Sequence, residues 1–204
     1  DAGTYSVVIT VSGCSSAAGS TNVVVNATPA TPTASNGGPY CEAATIALST
    51  PTVAGATYSW SGPNGFTSAL QNPTRSSATT ADAGIYSVTV TVSGCTSAAG
   101  TTNVVVNPTS ATPTASNGGP YCEGATISLS TPTVVGATYA WTGPNGFTSA
   151  LQNPTRSTAT TADAGIYSVT ITVSGCISAA GTTNVVVNAT PATPTASNGG
   201  PYCA

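Results

Sequence analysis

The sequence predicts an all-β protein built from tandem antiparallel β-sandwiches, with about seven short strands in each 81-residue repeat. Three observations carry this. First, Asp1-Ala-Gly-Thr-Tyr-Ser-Val recurs as Asp82-Ala-Gly-Ile-Tyr-Ser-Val and again as Asp163-Ala-Gly-Ile-Tyr-Ser-Val, and 68 of 81 positions are identical between residues 1–81 and 82–162. An 81-residue period is too long for a solenoid unit and suits a small domain with its own core. Second, Ile85–Val92 alternates strictly, with Tyr86, Val88, Val90 and Val92 on one face and Ser87, Thr89 and Thr91 on the other, the two-residue period of a half-buried strand. Third, turn-forming clusters punctuate the chain, and no stretch has a helical period with caps.

Taken in order along one copy, Asn26-Ala-Thr-Pro-Ala-Thr-Pro32 is confined by its prolines to extended backbone, so it reads as a stiff linker or first edge strand. Asn36-Gly-Gly-Pro39 breaks the chain. Thr45–Ser49 and Thr57–Ser61 alternate as strands, Gly62-Pro-Asn-Gly65 turns, and Ile85–Val92 is the longest strand. Ser93-Gly94 turns again, and Asn103-Val-Val-Val-Asn107 closes the copy as a short apolar strand. With boundaries in the Pro-rich stretches, 27–107 and 108–188 are complete domains. Residues 1–26 are then the last strands of a preceding domain, and 189–204 the first strand of a following one. The chain reads as a window on a longer array.

Composition narrows the function classes. Only 3% of residues are charged, against roughly a quarter in an ordinary soluble domain. The cations are Arg75 and Arg156, and the acids are Asp1, Glu42, Asp82, Glu123 and Asp163; there is no His, Lys or Met. Two positive charges cannot neutralise a run of phosphates, so nucleic acid is not an expected partner. Without His or Lys, the usual general bases and amine nucleophiles are missing, and the reading is a non-enzyme without cofactor. No apolar run approaches the ~20 residues of a membrane-spanning helix.

Trp60 in its strand, then Arg75, then Thr80-Ala-Asp-Ala-Gly-Ile-Tyr86 resembles the core signature of immunoglobulin-like domains, and Trp141, Arg156 and Asp163–Tyr167 repeat it. The resemblance implies that each Trp fills a core and that Tyr86 and Tyr167 form a tyrosine corner. It further implies that Arg75 with Asp82, and Arg156 with Asp163, close the end of a sheet. The combination of Tyr-Cys-Glu-Gly-Ala-Thr-Ile-Ser-Leu, Trp-Thr-Gly-Pro-Asn-Gly-Phe and Ser-Gly-Cys is similar to tandem immunoglobulin-like repeats of very large bacterial surface proteins, including gliding-type adhesins. That implies an extracellular or cell-surface location and a role as spacer, adhesin or filament. In the family's lettering, 1–26 would hold strands F and G. One departure is plain: the positions of the usual inter-sheet cysteines are Leu48 and Val88.

The six cysteines fall into two classes. Cys41, Cys122 and Cys203 precede strand B (Thr45–Ser49 in the first complete copy), while Cys14, Cys95 and Cys176 follow strand F (Ile85–Val92 in that copy). An even count at fixed spacing reads as disulfides in an oxidising compartment; a zinc site is disfavoured without His or Cys-x-x-Cys. One pairing stays within each domain, Cys41–Cys95 and Cys122–Cys176. Strand direction favours another. In an up-and-down alternation B and F run in the same sense, so the start of B and the end of F lie about 20 Å apart for six-residue strands, whereas a disulfide needs Cα atoms within about 7 Å. The start of B faces the next domain's F–G turn, so Cys41 is expected to pair with Cys176 of the following domain. By the same rule Cys122 and Cys203 would pair downstream, and Cys14 and Cys95 upstream.

Other features weigh less. Glu42 and Glu123 supply one acid per site, too few for calcium. Asn26 and Asn188 fit the N-glycosylation sequon, and Asn107 is blocked by Pro108. Tyr40 and Tyr121, beside the cysteines, are expected to pack against a neighbouring domain. The leading expectation is a structural segment of a long extracellular rod, filament or adhesin stalk, with disulfide-stiffened junctions. Its partners are neighbouring repeats and other copies of the chain. The alternative is an adhesion module that binds a surface glycan or protein through avidity.

Overall fold

The computed structural model describes residues 1–201 and 203; Tyr202 and Ala204, in the segment read as the first strand of a following domain, lie outside the described residues. The chain divides into two compact units, Asp1–Asn107 and Pro108–Ala204.

In the first unit the strand Gly84–Val92 is the centre of a five-stranded sheet. It pairs antiparallel with Thr57–Gly62, with Gly100–Val104 and, at its far end, with Cys95–Thr96, while Phe66–Ser68 extends the sheet beyond Thr57–Gly62. A second sheet has Ile46–Ser49 between Ser35–Asn36 and Thr74–Arg75. The sequence alternation is the cause of the layering. Tyr86, Val88 and Val90 are buried while Ile85 is exposed, and Ile46 and Leu48 are buried between exposed neighbours. The two apolar faces close on a core of Ile46, Leu48, Trp60, Ala78, Tyr86, Val88, Val104 and Val106. Such burial is the main driving force for a domain this size. Leu48 and Val88, where the family carries its cysteine pair, are 2% and 0% exposed; apolar packing occupies the place of that bridge.

The structure refines two expectations. The Val-Val-Val strand is not one element: Gly100–Val104 belongs to the large sheet, and Val106–Asn107 crosses over to pair with Tyr40–Cys41. Across the break the strand alternation persists, with Val104 and Val106 both in the core and Val105 turned to solvent. The crossover pairing is also parallel, because both segments run in the same direction at this edge. In an otherwise antiparallel sandwich it joins the second and last strands of the copy.

The second unit repeats the plan. Gly165–Val173 pairs with Thr138–Gly143, Gly181–Val185 and Cys176–Ile177; Ile127–Ser130 lies between Ser116–Asn117 and Thr155–Arg156; and Tyr121–Cys122 runs parallel to Val187–Asn188. Its core is Ile127, Leu129, Trp141, Ala159, Tyr167, Val169, Val185 and Val187. At the start of the chain, Gly3–Val7 pairs with Gly19–Val23 and Thr10–Val11 with Cys14–Ser15, a hairpin whose residues are all exposed. The described residues of 189–204 form no strand.

Candidate functional site

Two places in each copy concentrate polar chemistry. The first is the turn before the long strand. A short 3-10 turn, Thr80–Asp82, is capped reciprocally: the Asp82 carboxylate accepts from the backbone and hydroxyl of Thr79 at 2.8 and 3.0 Å. The other carboxylate oxygen accepts from Asn64 at 3.0 Å and pairs with Arg75 at 2.6 Å. Arg75 also donates to the Pro63 carbonyl and lies 5.8 Å from the centre of the Phe66 ring, which meets Tyr86 edge-on. Asp82 is 2% exposed, so this is an interior ion pair. Desolvation pushes its carboxyl up, but the hydrogen bonds from Asn64 and Thr79 and the Arg75 charge outweigh it and hold the group below its ordinary 3.8. At Asp163 the Thr160 backbone N–H is the largest influence, and with Asn145, the Thr160 hydroxyl and Arg156 it holds the group low against desolvation.

The Tyr86 hydroxyl donates to the Asp82 carbonyl at 3.0 Å, and Tyr167 does the same to Asp163. This is the tyrosine corner that the sequence signature implied. Burial pushes both phenol groups above their ordinary value, so the hydroxyl stays a donor. The donors and acceptors of these bonds all lie within one domain, which makes the network a structural lock.

The second place is the cysteine-bearing ends of the copy. Cys41 sits opposite Asn107 in the parallel pairing, fixed by Tyr40 N–H to the Val105 carbonyl and Glu42 N–H to the Asn107 carbonyl, at 2.9 and 3.0 Å. The Tyr40 hydroxyl accepts from the Gly37 and Ala47 amides and donates to the Ala47 carbonyl. Its ring packs on the core of its own domain. The expected role of Tyr40 and Tyr121 against a neighbouring domain is therefore corrected: these side chains brace the cysteine strand from within. Asn36 adds a second brace, donating to the Thr102 hydroxyl and the Asn103 carbonyl.

Cys95 lies at the opposite end, after a tight turn in which Ser93 and Gly94 have φ of 48° and 81°. That turn holds the end of the preceding copy. The Asn26 side-chain amide donates to the Ser93 carbonyl at 3.0 Å, and the Cys95 thiol lies 3.6 Å from the Asn26 carbonyl. The nitrogen that a glycan would need on Asn26 is thus engaged in a hydrogen bond. Asn188 is exposed. In the second unit Cys122 sits opposite Asn188, and the Glu123 carboxylate accepts the Thr190 amide at 3.0 Å, holding the start of the next linker. Asn26, Asn107 and Asn188 are one position of the repeat, 81 residues apart. One cysteine class is built beside this asparagine from the copy it ends, and the other from the copy that follows.

Cys41 and Cys176 are disulfide-bonded, whereas Cys14, Cys95, Cys122 and Cys203 are free thiols. Neither within-domain bridge, Cys41–Cys95 or Cys122–Cys176, is formed. The sequence reading placed Asn26, Asn36 and Ser93 in a sequon and in turns but did not foresee their hydrogen bonds, nor those that Asn64 and Thr79 donate to Asp82. Their partners are mostly far along the chain, and an amide in a turn-rich stretch reads simply as a turn residue. Among the described residues no helix is long and apolar enough to cross a membrane.

No protein-family model matches this sequence, and no curated protein matches it. Among solved structures, murine CEACAM1b is 13% identical, with 77% of this chain and 100% of that chain covered and a TM-score of 0.45. A marsupial T cell receptor is 15% identical, with 79% and 74% covered and a TM-score of 0.49. Extracellular domains 3–5 of Drosophila OTK are 16% identical, with 92% and 71% covered and a TM-score of 0.44. At these values the immunoglobulin-like assignment rests on the strand pairing and tyrosine corner of the chain itself.

Proposed function

We propose that this chain is a segment of an extracellular stalk or filament, similar to the tandem immunoglobulin-like repeats of large bacterial surface proteins, with consecutive repeats tied by disulfides. In this segment the tie is Cys41 to Cys176. The observation that carries the reading is the pair of half-sites at the repeat boundary. Cys41 is held beside Asn107, and Cys95 beside Asn26. Because Asn26 and Asn107 are equivalent, moving the Cys95 neighbourhood by one period puts Cys176 beside Asn107, where Cys41 already stands. The bonded state of Cys41 and Cys176, with Cys95 and Cys122 free, supports the same pairing. The disulfide in turn supports an oxidising, extracellular setting.

The sparse charge makes the test simple. An arginine-specific protease acting on the thiol-blocked, denatured chain cuts only after Arg75 and Arg156. The expected result is that 1–75 and 157–204 remain joined without reductant while 76–156 separates. If 76–156 stays attached to either neighbour, Cys95 or Cys122 is bridged and the reading fails.

A further inference from the structure

Resting on the Cys41–Cys176 pairing put forward above, we propose that the disulfide is a tensile by-pass that removes residues 42–175, which hold most of the strands of both sandwiches, from the load-bearing path. Tension applied along the chain reaches Cys41 through residues 1–40, crosses the sulfur–sulfur bond and leaves through residues 177–204. Residues 42–175, 134 in all, form a closed loop that carries no end-to-end tension. That loop contains the strands Ile46–Ser49, Thr57–Gly62, Gly84–Val92 and Gly165–Val173, both tryptophans and both Arg–Asp locks.

The strands left under load lie towards the two ends of the sequence, and the fold braces the one that carries Cys41 from the side. Tyr40–Cys41 lies against Val106–Asn107, the Tyr40 hydroxyl is fixed to Ala47, and Asn36 is fixed to Thr102 and Asn103. All of these anchors belong to the slack loop. A pull on Cys41 therefore draws the loaded segment against an unloaded, folded body.

The loop is also longer than the 81-residue period. Bonds repeated at that period overlap, the next opening at Cys122 before the first closes at Cys176. In a continuing array every main-chain position between the first and last bond is spanned by at least one loop, so one cut of the backbone leaves the rod covalently whole.

The test is single-molecule stretching of the full chain held by handles at its two ends, oxidised and then after a dithiol reductant. The reductant supplies two electrons and two protons, returns Cys41 and Cys176 to thiols and itself closes to a cyclic disulfide. The residues outside the loop reach about 240 Å at full extension, and releasing the loop adds about 450 Å, so the oxidised chain is expected to stop at roughly a third of the reduced length. Cys41→Ser should give the long form without reductant; where that variant folds poorly, the oxidised and reduced wild-type chains give the same comparison. The proposal is overturned if the oxidised chain, with its bond pattern verified by arginine cleavage, still releases the full length. Exchange by Cys95 or Cys122, whose thiolate would bond one sulfur of the loaded bridge and expel the other as a thiolate, would leave a smaller closed loop and an intermediate length, and that result also overturns the proposal. Absence of the bond itself appears separately, in the cleavage pattern.

Discussion

The hairpin of residues 3–23 and its copy at 84–104 carry nearly the same residues in opposite surroundings. Tyr5 is 51% exposed and Tyr86 0%, and Val7 is 67% exposed against 0% for Val88. The local geometry is nonetheless the same: Gly3 pairs with Val23 as Gly84 pairs with Val104, and the Tyr5 hydroxyl donates to the Asp1 carbonyl as Tyr86 does to Asp82. Strand, turn and corner are thus encoded locally, whereas burial is conferred by Ile46, Leu48 and Trp60 from the opposing sheet and the neighbouring strand. The same sequence has local structure in one place and stability in the other.

That contrast can be broken most severely at the covering residues. Trp60→Ala or Trp141→Ala should cost about 3–5 kcal/mol in its own domain, read from the denaturant midpoint, while Tyr5→Ala should move stability by no more than about 0.5 kcal/mol. An equal effect at Tyr5 would mean that the hairpin is buried in solution. A glycine comparison is next. A Cβ on Gly100 would overlap the Pro32 carbonyl, whereas one on Gly19 meets only Val7 at 4.0 Å. Gly100→Ala should cost about 1–3 kcal/mol, and Gly19→Ala almost nothing, by the same measurement.

Smaller still is the corner hydrogen bond. Tyr86→Phe should cost about 1 kcal/mol, because it leaves the buried Asp82 carbonyl without that donor, and Tyr5→Phe should be silent. The mildest lever is acid. Asp82 and Asp163 are held below 3.8 in the folded state, so their contribution is present above the unfolded value near 4 and is lost as pH falls through the lowered folded value. Thermal melts from pH 5 to pH 2 should show a decline that Asp82→Asn flattens. A decline unchanged in that variant would assign the acid sensitivity elsewhere.

Much of this fold is legible in the sequence because apolar alternation and an 81-residue repeat are direct records of which face is buried. Trp60, Tyr86 and the Arg75–Asp82 pair could be assigned from their motif alone. The division of the Val-Val-Val segment could not, since three identical side chains carry no record of where a strand changes sheet. Tyr40 was misjudged for a related reason: its position beside Cys41 is visible, but its hydroxyl bonds to Ala47 depend on how the chain turns between them. Asn26 reads as a sequon until Ser93, 67 residues later, is brought to its amide.

The closure of each sandwich by Asn36 against Asn103 also bears on how such a chain reaches its native state. The correct partner lies 67 residues back, yet its near-identical counterpart Asn117 follows Asn103 by only 14 residues. Loop-closure entropy alone favours the nearer strand, and near-identical neighbours are prone to this kind of strand exchange. Between the two stand Pro108 and Pro113, which restrict the connecting backbone to extended conformations. The physical consequence of the proline-rich linker is a higher cost for closing each copy on the first strand of the next.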